Sequence, residues 1–173
     1  RCSEILKKIS KKQIEEDSFI NLIKLEDLLE EIITSFEETS SKKIDLLNKN
    51  DQNKISIQRT PEIIYGLRNF IGNAVKFSKS KIEVNLKSDE KMIKIEINDD
   101  GPGIPEDIIN KIGEPYIKSK SKELSPNSGL GLGTFLGKTL LERQGANLQF
   151  KRNSKLGGAL VVISWSPNSF TNV

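Results

Sequence analysis

Asn69, Asn73 and Lys76 are spaced four and three residues apart, so on a helix they fall within about 60° of one another. Ile63, Ile64, Leu67, Phe70, Ile71, Ala74 and Val75 take the opposite arc. One face therefore reads as core, and the other presents two amides and an ammonium. Asparagine is a mediocre helix former, so two of them one turn apart are locally costly. Amide oxygens can ligate a hard divalent cation, and a lysine can hold phosphate oxygens. A plain solvated face explains the same residues, and on this helix alone it is the simpler reading.

Two further segments could do related chemistry. Asp99-Asp100-Gly101-Pro102-Gly103-Ile104-Pro105 follows an alternating apolar run. A carboxylate at a strand end can accept from an exocyclic amine, and glycines let a ligand approach the backbone closely. An ordinary Asp-Gly turn is the bland alternative. Gly129-Leu130-Gly131-Leu132-Gly133, followed by Thr134 and a helical segment, would aim successive N–H groups at an anion. It lacks the Gly-Lys-Ser/Thr ending of a P-loop. Leu136 stands where a dinucleotide fingerprint needs its third glycine. A flexible hinge is equally consistent with it. Lys118, Lys120 and Lys122, set among serines, read as a basic loop closing on phosphate, or simply as solvated lysines.

The elements that must position these residues follow from periodicity. Residues 1–17 carry Cys2, Ile5, Leu6 and Ile9 on one stripe and read as the end of a longer helix that pairs with another. A short strand is expected over 19–22. Leu25, Leu28, Leu29, Ile32, Ile33 and Phe36 predict a helix over 25–38. Weak strands follow at 44–48 and 54–58. Thr60-Pro61 caps a helix running to about Ser78. Alternation predicts strands over 81–87 and 92–98. A short helix is expected at 106–112, a helix at 134–144, and strands at 146–152 and 158–165. The order implies an α+β chain with one sheet and helices on one face. The expected divisions are 1–17, 18–166, and a polar tail over 167–173.

Composition removes several classes. The chain has 173 residues, 27 basic against 24 acidic side chains and no histidine, which excludes histidine-ligated metals, Ser-His-Asp triads and a phosphohistidine within it. Neither that charge balance nor any basic–aromatic pattern suggests nucleic acid. No apolar run approaches the ~18 residues of a membrane span. One cysteine permits no internal disulfide and suits a reducing cytoplasm.

The three segments occur in order within about 70 residues. Together they resemble the ATPase domain shared by DNA gyrase B, the 90 kDa heat-shock chaperone, MutL and histidine kinases. Leu67–Ser78 resembles the histidine-kinase N box, Asp99–Gly103 the G1 box and Gly129–Gly133 the G2 box. Gly157-Gly158-Ala159 is similar to a degenerate third glycine box, with Ala159 in place of the commoner Thr. Ile112–Tyr116 and Leu140–Ala146 resemble the RegB/PrrB redox-responsive kinases, and Arg1–Leu6 resembles that family's redox box on the second dimerisation helix. The usual lid phenylalanine is missing, and Tyr116 stands near its place.

The resemblance implies a two-layer α/β sandwich of the Bergerat ATP-binding type, with a mixed, largely antiparallel sheet. It implies ATP and Mg²⁺, with Asn73 on the metal, Asn69 supporting the ion or phosphates, and Lys76 on phosphate. Phe77, Ile104, Tyr116, Lys118 and Lys120 would line the nucleotide or close over it. Asp99 would take the adenine amine, with Gly101 and Gly103 permitting that approach. Gly129, Leu130, Gly131, Leu132, Gly133 and Thr134 would present amides to the phosphates.

Hydrolysing relatives carry Glu at the position of Asn69. An amide cannot act as general base, which favours a kinase whose nucleophile comes from elsewhere. The implied partners are the chain's own dimerisation and phosphoacceptor domain, as a homodimer, and a response-regulator receiver domain. The implied setting is the cytoplasmic side of a membrane-anchored sensor. Cys2 is either a redox switch or a small apolar residue in a helix seam. The rival functions are an ATPase or serine kinase of the same superfamily, and a nucleotide-binding module without turnover.

Overall fold

The computed structural model of the protein describes residues 22–48, 55–115, 131–152 and 156–167. Strand β1 (Leu22–Lys24) runs directly into helix α1 (Leu25–Glu37), whose Leu25, Leu28, Leu29, Ile32 and Ile33 are buried. Strands β2 (Lys43–Asn48) and β3 (Ser56–Gln58) lead to helix α2 (Pro61–Phe77). Thr60 caps α2 by accepting from Ile63 N at 3.3 Å, with proline in the first turn as the sequence predicts.

Strands β4 (Lys81–Ser88) and β5 (Ile93–Asp99) form an antiparallel pair. A short helix α3 (Glu106–Ile109), helix α4 (Leu132–Arg143) and strands β6 (Asn147–Arg152) and β7 (Ala159–Trp165) complete the order.

Five strands form one sheet in the order β2-β4-β5-β7-β6. Only β2–β4 is parallel, because β3 and α2 intervene between those strands and return the chain in the same direction. Ile82, Val84 and Leu86 of β4 share the buried face with Ile93, Ile95 and Ile97 of β5. The core of α1 and α2 lies against this face and includes Leu67, Phe70 and Ile71. Each such side chain contributes roughly 1.5–3 kcal/mol on burial.

Four expectations are corrected. Among the described residues there are two sheets, because β1 pairs antiparallel with β3 in a separate ribbon that buries Ile57 and feeds α1 through Leu25 N–H to Ile55 C=O at 2.9 Å. The strand expected over 19–22 sits at 22–24, where that ribbon supplies its partner; residues 19–21 lie outside the described residues. Helix α3 ends at Ile109, short of 112, in a turn closed by Lys111 N–H to Ile108 C=O. Helix α4 starts at Leu132, two residues earlier than predicted, because Gly131 adopts φ +72° as its N-cap and Gly133 is already helical.

Glycines let α4 cross α2 closely. A Cβ on Gly66 would overlap Leu141, and one on Gly137 would sit 3.0 Å from Asn69 Cβ. That approach carries the N-terminus of α4 to the polar face of α2.

Candidate functional site

The C-terminal half of α2, the β5 turn, α3 and the start of α4 enclose a cavity of about 500 Å³. Asp99 sits at one end, 6% exposed. Its Oδ1 accepts from Gly101 N at 2.8 Å and Ala159 N at 3.1 Å. Both bonds fall on one oxygen, Oδ1, and among the described residues Oδ2 accepts none. Burial raises the Asp99 pKa above the ordinary carboxylate value, against the opposing pull of those two N–H donors and of Lys42; Asp100 adds to the rise.

The neighbouring Asp100 behaves oppositely. It accepts from Lys79 N at 2.7 Å, Ser80 N at 3.0 Å and Ser80 Oγ at 2.8 Å. Partial burial pushes its pKa up, but the donors from Ser80, Lys81 and Lys79 outweigh that and hold it at about 2. The carboxylate ties the α2–β4 connection to the β5 turn. Lys42 adds a second tie, donating to Val75 C=O at 2.5 Å and Ser78 C=O at 2.6 Å at the end of α2. A Cβ on Gly101 would overlap Phe77 C=O, and one on Gly158 would overlap Asp99. The turn, the end of α2 and the start of β7 are packed backbone to backbone.

The N-terminus of α4 closes the other end. Its first turn carries no acidic side chain, and the first helical bond is Phe135 N–H to Gly131 C=O. The N–H groups of Leu132, Gly133 and Thr134 thus have no partner within the helix, and with the helix dipole they favour an anion. Asn73 Nδ2 donates to Thr134 Oγ1 at 3.1 Å, joining α2 to this turn.

Residues 59–169 match the family model described as histidine kinase-, DNA gyrase B-, and HSP90-like ATPase. The chain belongs to this ATPase family. The sensor histidine kinase RegB of Cereibacter sphaeroides is 44% identical over 105 residues, covering 58% of this chain and 23% of that protein. The sensor histidine kinase CpxA of Escherichia coli is 32% identical over 101 residues, covering 58% and 22%. The chain thus spans about a quarter of the length of these relatives. Among solved structures, the mycobacterial sensor histidine kinase MprB aligns with TM-score 0.71 at 19% identity, covering 84% of this chain and 97% of that one. The catalytic domain of histidine kinase ThkA aligns with TM-score 0.70 at 20% identity, covering 84% and 96%. These two show the fold, which is the two-layer mixed α/β arrangement the sequence implies.

Of the residues singled out from the sequence, Asn73, Lys76, Phe77, Asp99, Gly103, Ile104, Gly131, Leu132, Gly133 and Thr134 all line the cavity of this ATPase-family chain. Asn69 and Gly101 stand just behind it. A Cβ on Gly133 would lie 3.0 Å from Asn69 Oδ1, so Asn69 backs the α4 turn. Gly101 packs against the end of α2. Cys2, Tyr116, Lys118, Lys120, Gly129 and Leu130 lie outside the described residues, as do 1–17 and most of the expected tail. Sequence reasoning missed the apolar lining: Ile97, Ile108, Ile112, Phe150 and Val161. Alternation marks Ile97 as core-facing, but no local pattern says that a strand residue lines a cavity.

The donor set fits Mg²⁺ in one respect. Asn73 Nδ2 donates to Thr134 Oγ1, which leaves its amide oxygen as a candidate ligand at the cavity, whereas Asn69 Nδ2 donates to Tyr65 C=O at 2.8 Å and its Oδ1 packs against Gly133 behind the cavity. A cation that keeps several waters and takes one or two protein oxygens beside phosphates suits that arrangement. Among the described residues no cluster of three or more His, Cys, Asp or Glu forms a metal site.

Proposed function

We propose that this chain is the ATP-binding catalytic module of a two-component sensor histidine kinase. In this reading it passes the γ-phosphoryl group of ATP to a histidine on a dimerisation helix, and from there it moves to a response-regulator aspartate. The chain itself holds no histidine, so the acceptor comes from outside these 173 residues. The observation that carries the reading is a single cavity joining the Asp99 carboxylate to the open N-terminus of α4. Asp99 Oδ2 accepts the adenine amine, and the apolar lining takes the ring. The α4 amides and Lys76 neutralise phosphate charge, and Phe77 flanks the nucleotide. Tyr116, Lys118 and Lys120 are assigned to the nucleotide from the sequence alone. Mg²⁺, when bound, supplies charge neutralisation to the phosphoryl oxygens. Asn73 would hold it, with Asn69 in support.

Asn69 favours transfer to a protein over hydrolysis. Its nitrogen is engaged and its oxygen has no useful basicity, so water finds no general base there. The Arg1–Leu6 resemblance supports redox control through Cys2, and the similarity to sensor kinases supports a membrane-anchored parent.

Titration with a non-hydrolysable ATP analogue, with and without Mg²⁺, tests the site. Labelling with γ-labelled ATP, alone and with the parent's dimerisation domain, tests the transfer. Mg-sensitive binding, no self-labelling and label on the supplied domain are expected. Rapid ATP hydrolysis by the chain alone would overturn the kinase reading, and absence of binding would overturn the nucleotide reading. A C2A variant that leaves oxidation-dependent dimerisation unchanged would sink the redox switch.

A further inference from the structure

One wall of the cavity is loosely built. Helix α3 has no buried residue. The segment that follows is stitched by local bonds: Ile109 N–H to Pro105 C=O, Lys111 N–H to Ile108 C=O and Glu114 N–H to Lys111 C=O, at 3.1, 2.9 and 3.0 Å. Ile108 and Ile112 turn their apolar surface toward the cavity, where a packed helix would turn it toward core. Such a wall needs support from outside itself to hold one position.

Lys138 of α4 supplies it. It lies one turn beyond Thr134, on the same side of the helix. Gly113 has φ +90° and presents its bare Cα to this side chain. A Cβ there would overlap Lys138 Cδ and lie 3.3 Å from Cε and 3.2 Å from Nζ. Lys138 Nζ stands 3.8 Å from Glu142 Oε1, and the side chain is 30% exposed. The aliphatic stem thus lies between α4 and the backbone at Gly113, with its charged end beside the acidic side chain one turn further on.

We propose that Lys138 is a positioning residue of the nucleotide site: its stem, lying across Gly113, holds the Ile112–Glu114 wall against α4 and sets the cavity's width. The inference rests on the nucleotide reading above, but its structural half can be tested without nucleotide. Gly113 is required for two reasons, its positive φ and the space that the lysine stem occupies. Only the second depends on Lys138.

The test uses the full 173-residue chain in five forms: wild type, Lys138→Ala, Lys138→Met, Gly113→Ala, and the double Lys138→Ala/Gly113→Ala. Thermal melts establish that each folds. Amide exchange over 106–115 without nucleotide, and affinity and dissociation rate for a fluorescent ATP analogue, are then measured. Lys138→Ala is expected to speed exchange over 106–115 and weaken binding about 5- to 10-fold, the scale of losing one packed aliphatic stem, chiefly through faster release. Lys138→Met, which keeps the stem, restores both. The double variant is expected to bind better than the product of the single losses implies, because the overlap at Cδ is gone.

Unchanged exchange and affinity in Lys138→Ala, or strict additivity of the two alanines, would overturn the proposal. So would a Lys138→Met variant as impaired as Lys138→Ala, since that would make the charge and not the stem the active part. If wild type fails to bind the analogue, the nucleotide reading falls, and the exchange comparison still decides whether Lys138 holds the wall.

Discussion

Replacing Asp99 by Asn separates what the residue does for the ligand from what it does for the fold. The amide oxygen can keep the bonds from Gly101 N and Ala159 N. The new NH₂ then stands where Oδ2 faces the cavity, opposing a donor with a donor. Losing a hydrogen bond to a charged acceptor costs about 1.5–3 kcal/mol, so affinity for an adenine nucleotide is expected to fall by one to two orders of magnitude. Stability is expected to move the other way. Burial raises the Asp99 pKa, so the folded state favours the protonated acid. That contribution is full below the ordinary carboxylate pKa and is lost as pH rises through the folded value. At neutral pH the charge opposes folding, and Asn removes it. The variant is therefore expected to melt at the same temperature as wild type or higher. Calorimetric titration and urea unfolding at pH 7 check the two halves. A variant that keeps wild-type affinity would refute the ligand role, and one that loses more than about 1 kcal/mol of stability would show that the two amide bonds need a charged acceptor.

Asp100→Asn is expected to act on stability through pH. With its carboxyl held at about 2, Asp100 contributes stability above the ordinary carboxylate pKa that is lost as pH falls toward 2. Urea midpoints between pH 5 and pH 2 are expected to fall less steeply in the variant, by an amount reduced by solvent screening of this partly exposed group. Gly158→Ala would drive a methyl into Asp99 O and Oδ1; it is expected to cost about 1–3 kcal/mol of stability and to weaken nucleotide binding as well, read by unfolding and titration together. Thr60→Ala removes the cap on Ile63 N; it is expected to cost about 1 kcal/mol in urea unfolding with analogue affinity unchanged, because the cap lies at the far end of α2 from Lys76 and Phe77.

Much of the fold was legible because its signals are local. The Leu25–Phe36 stripe, the Thr60-Pro61 cap and the alternation of Ile93, Ile95 and Ile97 each depend on a few neighbouring residues. The ribbon of β1 and β3 was not, since two three-residue strands carry almost no periodicity and exist through pairing across more than thirty residues. The polar residues that the structure brings to the cavity were legible as residue types, because amides, a carboxylate and glycines are costly without a purpose. The apolar lining was not. Phe150 and Val161 alternate like any half-buried strand residues, and only the arrangement of β6 and β7 opposite α2 turns them into a cavity wall. Lys138 was hidden for the same reason: a lysine in the middle of a helix reads as solvated until Gly113 is seen beneath it.

The two adjacent aspartates show where sequence reasoning stops and structure takes over. Residue type alone does not rank the two, and it is the resemblance that singles out Asp99. The end of β5 settles it. Asp99 is the last strand residue, in phase with the buried Ile93, Ile95 and Ile97, and its carboxylate lies between Gly101 N and Ala159 N, while Asp100 stands in the bend beyond the strand and turns to Lys79 and Ser80. The inward carboxylate has its charge disfavoured by burial and one oxygen left over, which are the terms on which an incoming donor gains most. The outward one has its charge stabilised by four donors and little capacity left. The first arrangement stores an unmet need that a ligand can satisfy, and the second spends its capacity on holding the turn in register with α2. Exchanging the two residue environments by a one-residue slip would ruin both, and β5 is fixed against such a slip by its antiparallel pairing with β4 on one side and β7 on the other.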